Sequence, residues 1–182
     1  MSASTAPLDG VKVVEMTSVV LGPYACQILG DLGADVIKIE PPAGDTNRNL
    51  GPYRTHSDMA SLFINCNRNK RSVVLDLKSA AGKAAALKIM EDADVVVHNF
   101  RPGAMDRLGL NYEAVSSVNP TVIYCATYGY SKQGPYGRKG ALDDSIQAVS
   151  GIAALQEKVL GEPRYLPTVV ADKTTGLFVA QA

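Results

Sequence analysis

The chain has 182 residues, 46% hydrophobic and 20% charged, which is enough for one sizeable core. Lys+Arg and Asp+Glu both number 18, so there is no basic excess to recruit nucleic acid. Cys26, Cys66 and Cys125 form neither a CxxC pair nor a disulfide framework, and only two histidines are present, which disfavours a zinc site and points to the cytoplasm.

Residues 1–7 carry no charged leader and no long apolar stretch, so a frayed tail is expected rather than a signal peptide or membrane span. After the turn signal Leu8-Asp9-Gly10, residues 11–16 read as a strand. Gly22-Pro23 opens a helical pattern with Ala25, Ile28 and Leu29 on one face, and Gly30 and Gly33 close it. Residues 35–40 are the next strand. Strand, helix and strand in about thirty residues make a βαβ unit, which implies parallel neighbours.

Pro41-Pro42 ends this unit, and residues 43–59, rich in Gly, Asn, Arg and Pro, are expected to form a long surface loop. Residues 72–77 read as a strand, 79–92 as a helix and 93–98 as a buried parallel strand. A short loop-helix over 99–108 precedes a helix capped by Asn111 and running to about Val118. Residues 121–127 read as another buried strand, 129–140 as a flexible glycine-rich connector and 143–150 as a helix ending at Gly151.

Near the end, the apolar run 169–171 leads into Asp172, which reads as the N-cap of a helix over 173–182 offering Leu177, Phe178 and Ala180 for burial. Asp172 has two readings. It caps the helix, or the helix-start amides keep its carboxylate ionised and aim it at a substrate. The chain stops inside this apolar pattern, so a fragment is expected, oligomeric or aggregation-prone through Leu177, Phe178 and Val179. Alternating strands and helices predict an α/β fold with an open, mostly parallel sheet and helices on both faces. No repeat or linker divides residues 1–182 into two domains.

The first βαβ unit invites a dinucleotide reading, with Glu40 where a ribose-binding acid would sit. Leu21-Gly-Pro-Tyr-Ala-Cys26 supplies one glycine where G-x-G-x-x-G needs three, so a nicotinamide-dependent oxidoreductase is disfavoured. No phosphate-binding G-x-x-x-x-G-K-[ST] pattern occurs. Leu75-Asp-Leu-Lys78, His98-Asn-Phe-Arg-Pro-Gly103 with Arg107, and Arg138-Lys-Gly140 read as anion-handling loops beyond strand carboxyl ends, which favours a phosphate-bearing ligand.

Leu32-Gly-Ala-Asp-Val-Ile-Lys-Ile-Glu40, Asn67-Arg-Asn-Lys-Arg-Ser-Val-Val-Leu-Asp-Leu-Lys78, Asn99-Phe-Arg-Pro-Gly103 and Arg107-Leu-Gly109 carry a specific likeness. With Gly22-Pro23, they resemble the class III CoA-transferases of the formyl-CoA and carnitine CoA-transferase type, to which α-methylacyl-CoA racemase is related. The resemblance implies a Rossmann-like large domain in an interlocked homodimer, with a further small domain that these residues lack. It also implies acyl-CoA and a small carboxylate as substrates, with no resident cofactor, metal or membrane partner.

Residue by residue, the resemblance makes Asp172 the catalytic nucleophile. It places CoA contacts at Val20 and Leu21, at Leu75, Asp76, Leu77 and Lys78, at Asn99, Phe100 and Arg101, at Arg107, and at Gly140, Ala141, Leu142 and Asp143. Leu142-Asp143 stands where the racemase branch has His-Asp, which disfavours epimerisation. Val20 and Pro41 replace a Gln and an Arg of formyl-CoA transferase, which disfavours a formate/oxalate pair. A CoA-binding chain without turnover is the remaining alternative.

Overall fold

A computed structural model describes residues 6–52 and 58–182. The expected tail therefore lies mostly outside the described residues, as does part of the 43–59 loop, including His56.

Among the described residues, five strands form one parallel sheet in the order β3-β2-β1-β4-β5. They are β1 (Lys12–Met16), β2 (Asp35–Glu40), β3 (Lys70–Val74), β4 (Val95–His98) and β5 (Ile123–Ala126). This is a doubly wound order, with β1 and β4 adjacent and the topology reversing between them. The register pairs Val13 with Val36 and Val95, and Glu15 with Lys38 and Val97.

Helix α1 (Leu21–Asp31) has Pro23 in its first turn, as the sequence predicts. The remaining helices are α2 (Ser61–Asn67), α3 (Ala80–Met90), α4 (Ala104–Leu108), α5 (Tyr112–Val118), α6 (Asp143–Val149), α7 (Ile152–Leu160) and α8 (Val170–Gln181). The predicted Asn111 cap is present, its Oδ1 accepting from the Ala114 amide at 3.1 Å.

Side-chain alternation along the strands builds a core on each face. Val14, Met16, Ile39 and Val96 pack with Met90, Met105, Leu110 and Val115 of the α3–α5 side. Val13, Val36 and Val97 pack with Cys26 of α1, and Val179 of α8 joins this second cluster.

Several expectations shift. The third strand begins at Lys70 and ends at Val74, because pairing with β2 starts at Val36–Lys70. Leu75 still donates to the Glu40 carbonyl at 2.9 Å, and Leu75 and Leu77 then fold back onto the α3-side core. Helices α2 and α7 are additions: both are short, and α7 has no fully buried residue. A 3₁₀ turn (Thr46–Asn49) interrupts the expected loop, its start capped by the Asp45 carboxylate accepting from the Asn47 amide at 2.9 Å. Residues 129–140 are not an open connector. They form successive tight turns, and a Cβ at the buried Gly137 would lie 2.6 Å from the Lys132 carbonyl oxygen.

At the carboxyl end of the sheet, the α1 face is charged rather than apolar. Glu15, Lys38 and Asp45 are buried, and Lys70 with them. Lys38 Nζ lies 3.0 Å from both Glu15 Oε1 and Asp45 Oδ2, and Lys70 Nζ lies 2.7 Å from Glu15 Oε2. The two ammonium groups also donate to backbone carbonyls, Lys38 to Thr17 (2.8 Å) and Lys70 to Pro23 (2.8 Å). Two acids and two bases thus balance inside the protein and grip the segment joining β1 to α1. In that segment Val19 adopts φ 70°, a conformation that a β-branched residue accepts only under strong constraint.

Candidate active site

Loops following β1, β3 and β4 converge at the carboxyl end of the sheet. Ser18 and Asn99 clamp two of them together, the Ser18 amide donating to Asn99 Oδ1 (3.0 Å) and Asn99 Nδ2 to the Ser18 carbonyl (2.8 Å). Arg101 lies against Gly140, where an added Cβ would come within 2.9 Å of its guanidinium. This brings residues 99–101 beside the segment leading to Leu142 and Asp143.

A cleft of about 610 Å³ opens where α3 begins, lined by Leu77, Lys78, Ser79, Lys83 and Arg107 among others. Ser79 caps α3, its Oγ accepting from the Gly82 amide at 3.0 Å. Two expected anion-handling residues, Lys78 and Arg107, therefore line one cavity. Lys83, one helical turn beyond the cap, joins them, and its spacing from Ser79 is the signal in the sequence that puts it there.

Other candidates are placed differently. Val20 is 3% exposed, so its side chain belongs to the interior. His98 is 1% exposed and surrounded by the rings of Tyr124, Tyr128 and Phe100. Burial, helped by nearby Lys132, pushes its pKa down to about 4, so it is a neutral core group rather than an anion-binding cation. Glu40 does not face a ribose site. Arg48 Nε and Nη2 each donate to it at 2.7 Å, Ser72 Oγ donates to Oε1, and the Asp45 amide donates to Oε2. Burial works to raise the Glu40 pKa, but these donors outweigh it and bring it down to about 2.

Asp172 is the third residue of α8, not its N-cap. Val169 occupies the cap position and offers no side-chain bond. The preceding residues, 161–169, form no strand. The Asp172 amide instead donates to Asp143 Oδ1 at 2.8 Å, so an acid from α6 caps α8 from outside. The Asp172 carboxyl is half-buried, and burial followed by repulsion from Asp143 raises its pKa to about 6.

One turn beyond Asp172, Gly176 lets α8 close on α1: a Cβ there would sit 2.9 Å from the Leu21 carbonyl oxygen and 3.0 Å from the Tyr24 ring. Asp172 and Gly176 share a helix face, so Asp172 stands on the side of α8 turned to the start of α1. Leu177 and Phe178 point outward, 44% and 66% exposed, while Val179 packs inward. Among the remaining candidates, Ala141 rests against Gly129, and Leu142 is exposed.

The strand order and the cleft beyond the strand ends place the chain in the doubly wound α/β class. Comparison with known proteins narrows this. The sequence profile of CoA-transferase family III matches residues 8–182. The chain is 43% identical over 175 residues to acetyl-CoA:oxalate CoA-transferase of Acetobacter aceti, covering 95% of this chain and 44% of that protein. It is 38% identical to succinate–glutarate CoA-transferase of Agrobacterium fabrum, covering 97% and 46%. The crystal structure of a CAIB/BAIF family protein from Brucella suis superposes with a TM-score of 0.92 at 39% identity, covering 97% of this chain and 48% of that one. The chain belongs to CoA-transferase family III. It spans about half the length of the curated relatives it matches.

Proposed function

We propose that residues 1–182 are the N-terminal part of the large domain of a CoA-transferase, which moves CoA from an acyl-CoA to a small carboxylic acid with Asp172 as nucleophile. The observation that carries this reading is the Asp172 carboxyl itself. It is half-buried beside Asp143, with its pKa raised to about 6. A carboxylate of that basicity is mostly ionised at neutral pH and more nucleophilic than an ordinary aspartate.

The chemistry balances as an exchange of acyl and thiolate groups. Asp172 attacks the thioester carbonyl; a C–O bond forms, the C–S bond breaks, and CoA leaves as thiolate with a mixed anhydride behind. The thiolate then attacks the aspartyl carbonyl and expels the donor acid as carboxylate, leaving an aspartyl-CoA thioester. The acceptor carboxylate reverses both steps, regenerating Asp172 and releasing the new acyl-CoA.

Lys78, Lys83 and Arg107 suit the phosphates of CoA, with the start of α3 adding its amides and dipole. The relatives' names, acetyl-CoA:oxalate and succinate–glutarate CoA-transferase, support small acids as the exchange partners. CoA is then substrate rather than resident cofactor. An interlocked homodimer in the cytoplasm completes the proposal; among the described residues no helix is long and apolar enough to cross a membrane.

The test is intact-mass analysis after incubation with acyl-CoA donors, using the longest natural polypeptide that contains these residues. A hydroxylamine-sensitive CoA adduct should map to the peptide holding Asp172 and vanish in Asp172→Asn. CoA binding without any adduct would favour a non-catalytic CoA-binding chain, and an adduct on Asp143 or Asp144 would remove Asp172 from the mechanism.

A further inference from the structure

Gln147 is completely buried and uses both ends of its amide. Its Nε2 donates to Asp143 Oδ2 at 2.6 Å and to the Thr168 carbonyl at 3.2 Å, while its Oε1 accepts from the Leu166 amide at 2.8 Å. These bonds reach from α6 to the irregular segment that enters α8. The other oxygen of Asp143 accepts the Asp172 amide. Gln147, Asp143 and Asp172 therefore form one hydrogen-bonded series ending at the backbone of Asp172.

The series has structural consequences that no local sequence feature supplies. Helix α8 lacks a side-chain cap of its own, and residues 161–169 form no helix or strand. Only a side chain with both donor and acceptor can hold Asp143 and the Leu166 amide together, which a primary amide does and a carboxylate or thioether does not. We infer that Gln147 is a positioning residue: it joins Asp143 and residues 166–168 into one unit, and that unit sets where the Asp172 carboxyl stands. This rests on the proposed nucleophilic role of Asp172. A displacement of about 1 Å at a reacting group can cost about a hundredfold in rate, so the unit matters to chemistry as well as to folding.

The experiment compares Gln147→Met and Gln147→Glu with the wild type, in the longest natural polypeptide containing these residues. The readouts are kcat, KM for acyl-CoA, and the rate of adduct formation at Asp172. Gln147→Met should lower kcat and the adduct rate together by about ten- to a hundredfold, with KM within about twofold. Gln147→Glu keeps the acceptor for Leu166 and nearly the same volume and, by sharing a proton with Asp143, keeps a donor only until that proton is lost, so its defect depends on pH and decides the matter if Gln147→Met does not fold.

Once that proton is lost, Gln147→Glu also adds a negative charge to a junction that holds Asp143 and Asp144 of α6 and Asp172 and Lys173 of α8. The Lys173 ammonium is turned to Thr168 Oγ1 at 2.6 Å. The kcat of Gln147→Glu should fall as pH rises past the loss of that shared proton while the wild type holds its plateau, a pH dependence that a uniform loss of folded protein would not produce. Adduct formation at the wild-type rate in the folded variants, or a defect confined to KM, overturns the positioning role. Absence of an Asp172 adduct in the wild type overturns instead the nucleophile reading beneath it.

Discussion

The amide of Asp172 donates to the carboxylate of Asp143 at 2.8 Å, across 29 positions of sequence and from one helix to another. The acid that caps α8 is therefore also the charge that faces the acid within it. Asp143 fixes the backbone of Asp172 and opposes ionisation of its side chain at the same time.

Because Asp172 is not a cap, Asp172→Asn removes no capping bond, and it relieves a buried charge beside another. A carboxyl whose folded pKa is raised, here from 3.8 to about 6, contributes stability below its unfolded pKa and loses it as pH rises through the folded value. At pH 8 the substitution should therefore stabilise the fold, by roughly 1–2 kcal/mol after allowance for solvent screening. Transfer should fall by at least about a thousandfold, since an amide cannot form the anhydride. Urea unfolding and turnover measured on one preparation check both halves.

Turnover should rise with pH through about 6, as Asp172 loses its proton. In Asp143→Asn the carbonyl oxygen can still accept the Asp172 amide and the repulsive charge is gone, but the new amide nitrogen meets Gln147 Nε2 donor to donor, so the plateau rate falls as well. The acid limb of the rate profile should then shift to lower pH and stop short of an ordinary aspartate, because burial, the larger cause, remains. An unmoved limb would detach the profile from this pair.

Charge reversal at Lys78 or Arg107 should weaken CoA binding by about tenfold, and salt should weaken wild-type binding in the same direction. Both residues line the cleft at the start of α3. Calorimetry with CoA at two ionic strengths measures this directly. Equal affinities in the wild type and both variants would return the two residues to the solvated surface.

The Glu40–Arg48 pair supplies an acid-sensitive contribution to stability. With its pKa depressed from 4.5 to about 2, Glu40 stabilises the fold fully above pH 4.5 and loses that contribution as pH falls toward 2. Arg48→Met should cost about 3 kcal/mol at pH 7, because it strands a buried carboxylate, and should flatten the fall in stability between pH 5 and 3. Denaturant midpoints across that range test the expectation.

The sheet was readable because each buried strand announces itself, as Val95 to His98 does with three valines in a row. The start of β3 was not, because Lys70 and Arg71 look like surface residues until their partners are known. Each finds an acid on another strand: Lys70 bonds Glu15, and Arg71 bonds Asp35. A charged residue in the middle of a buried strand, such as Lys38 between Ile37 and Ile39, was the signal that such partners exist.

Lys78 and Arg107 could be assigned to one edge of the sheet from the strand–helix alternation, since both follow strand carboxyl ends. The capping of α8 could not, because the residue that performs it lies in another helix. Nor did Asp172 itself reveal its proton affinity, which depends on burial and on Asp143, both products of tertiary packing.

The four buried charges of Glu15, Lys38, Asp45 and Lys70 come from three neighbouring strands and the turn after β2, and they sum to zero. Replacing any one of them leaves an odd charge in a dry interior, whereas an apolar set introduced together need not. Their evolutionary route is therefore narrow: drift at one position is blocked until the others change. A protein engineer who wishes to graft the β1–α1 segment onto another scaffold must carry all four residues across together, or design a different anchor for the carbonyls of Thr17 and Pro23.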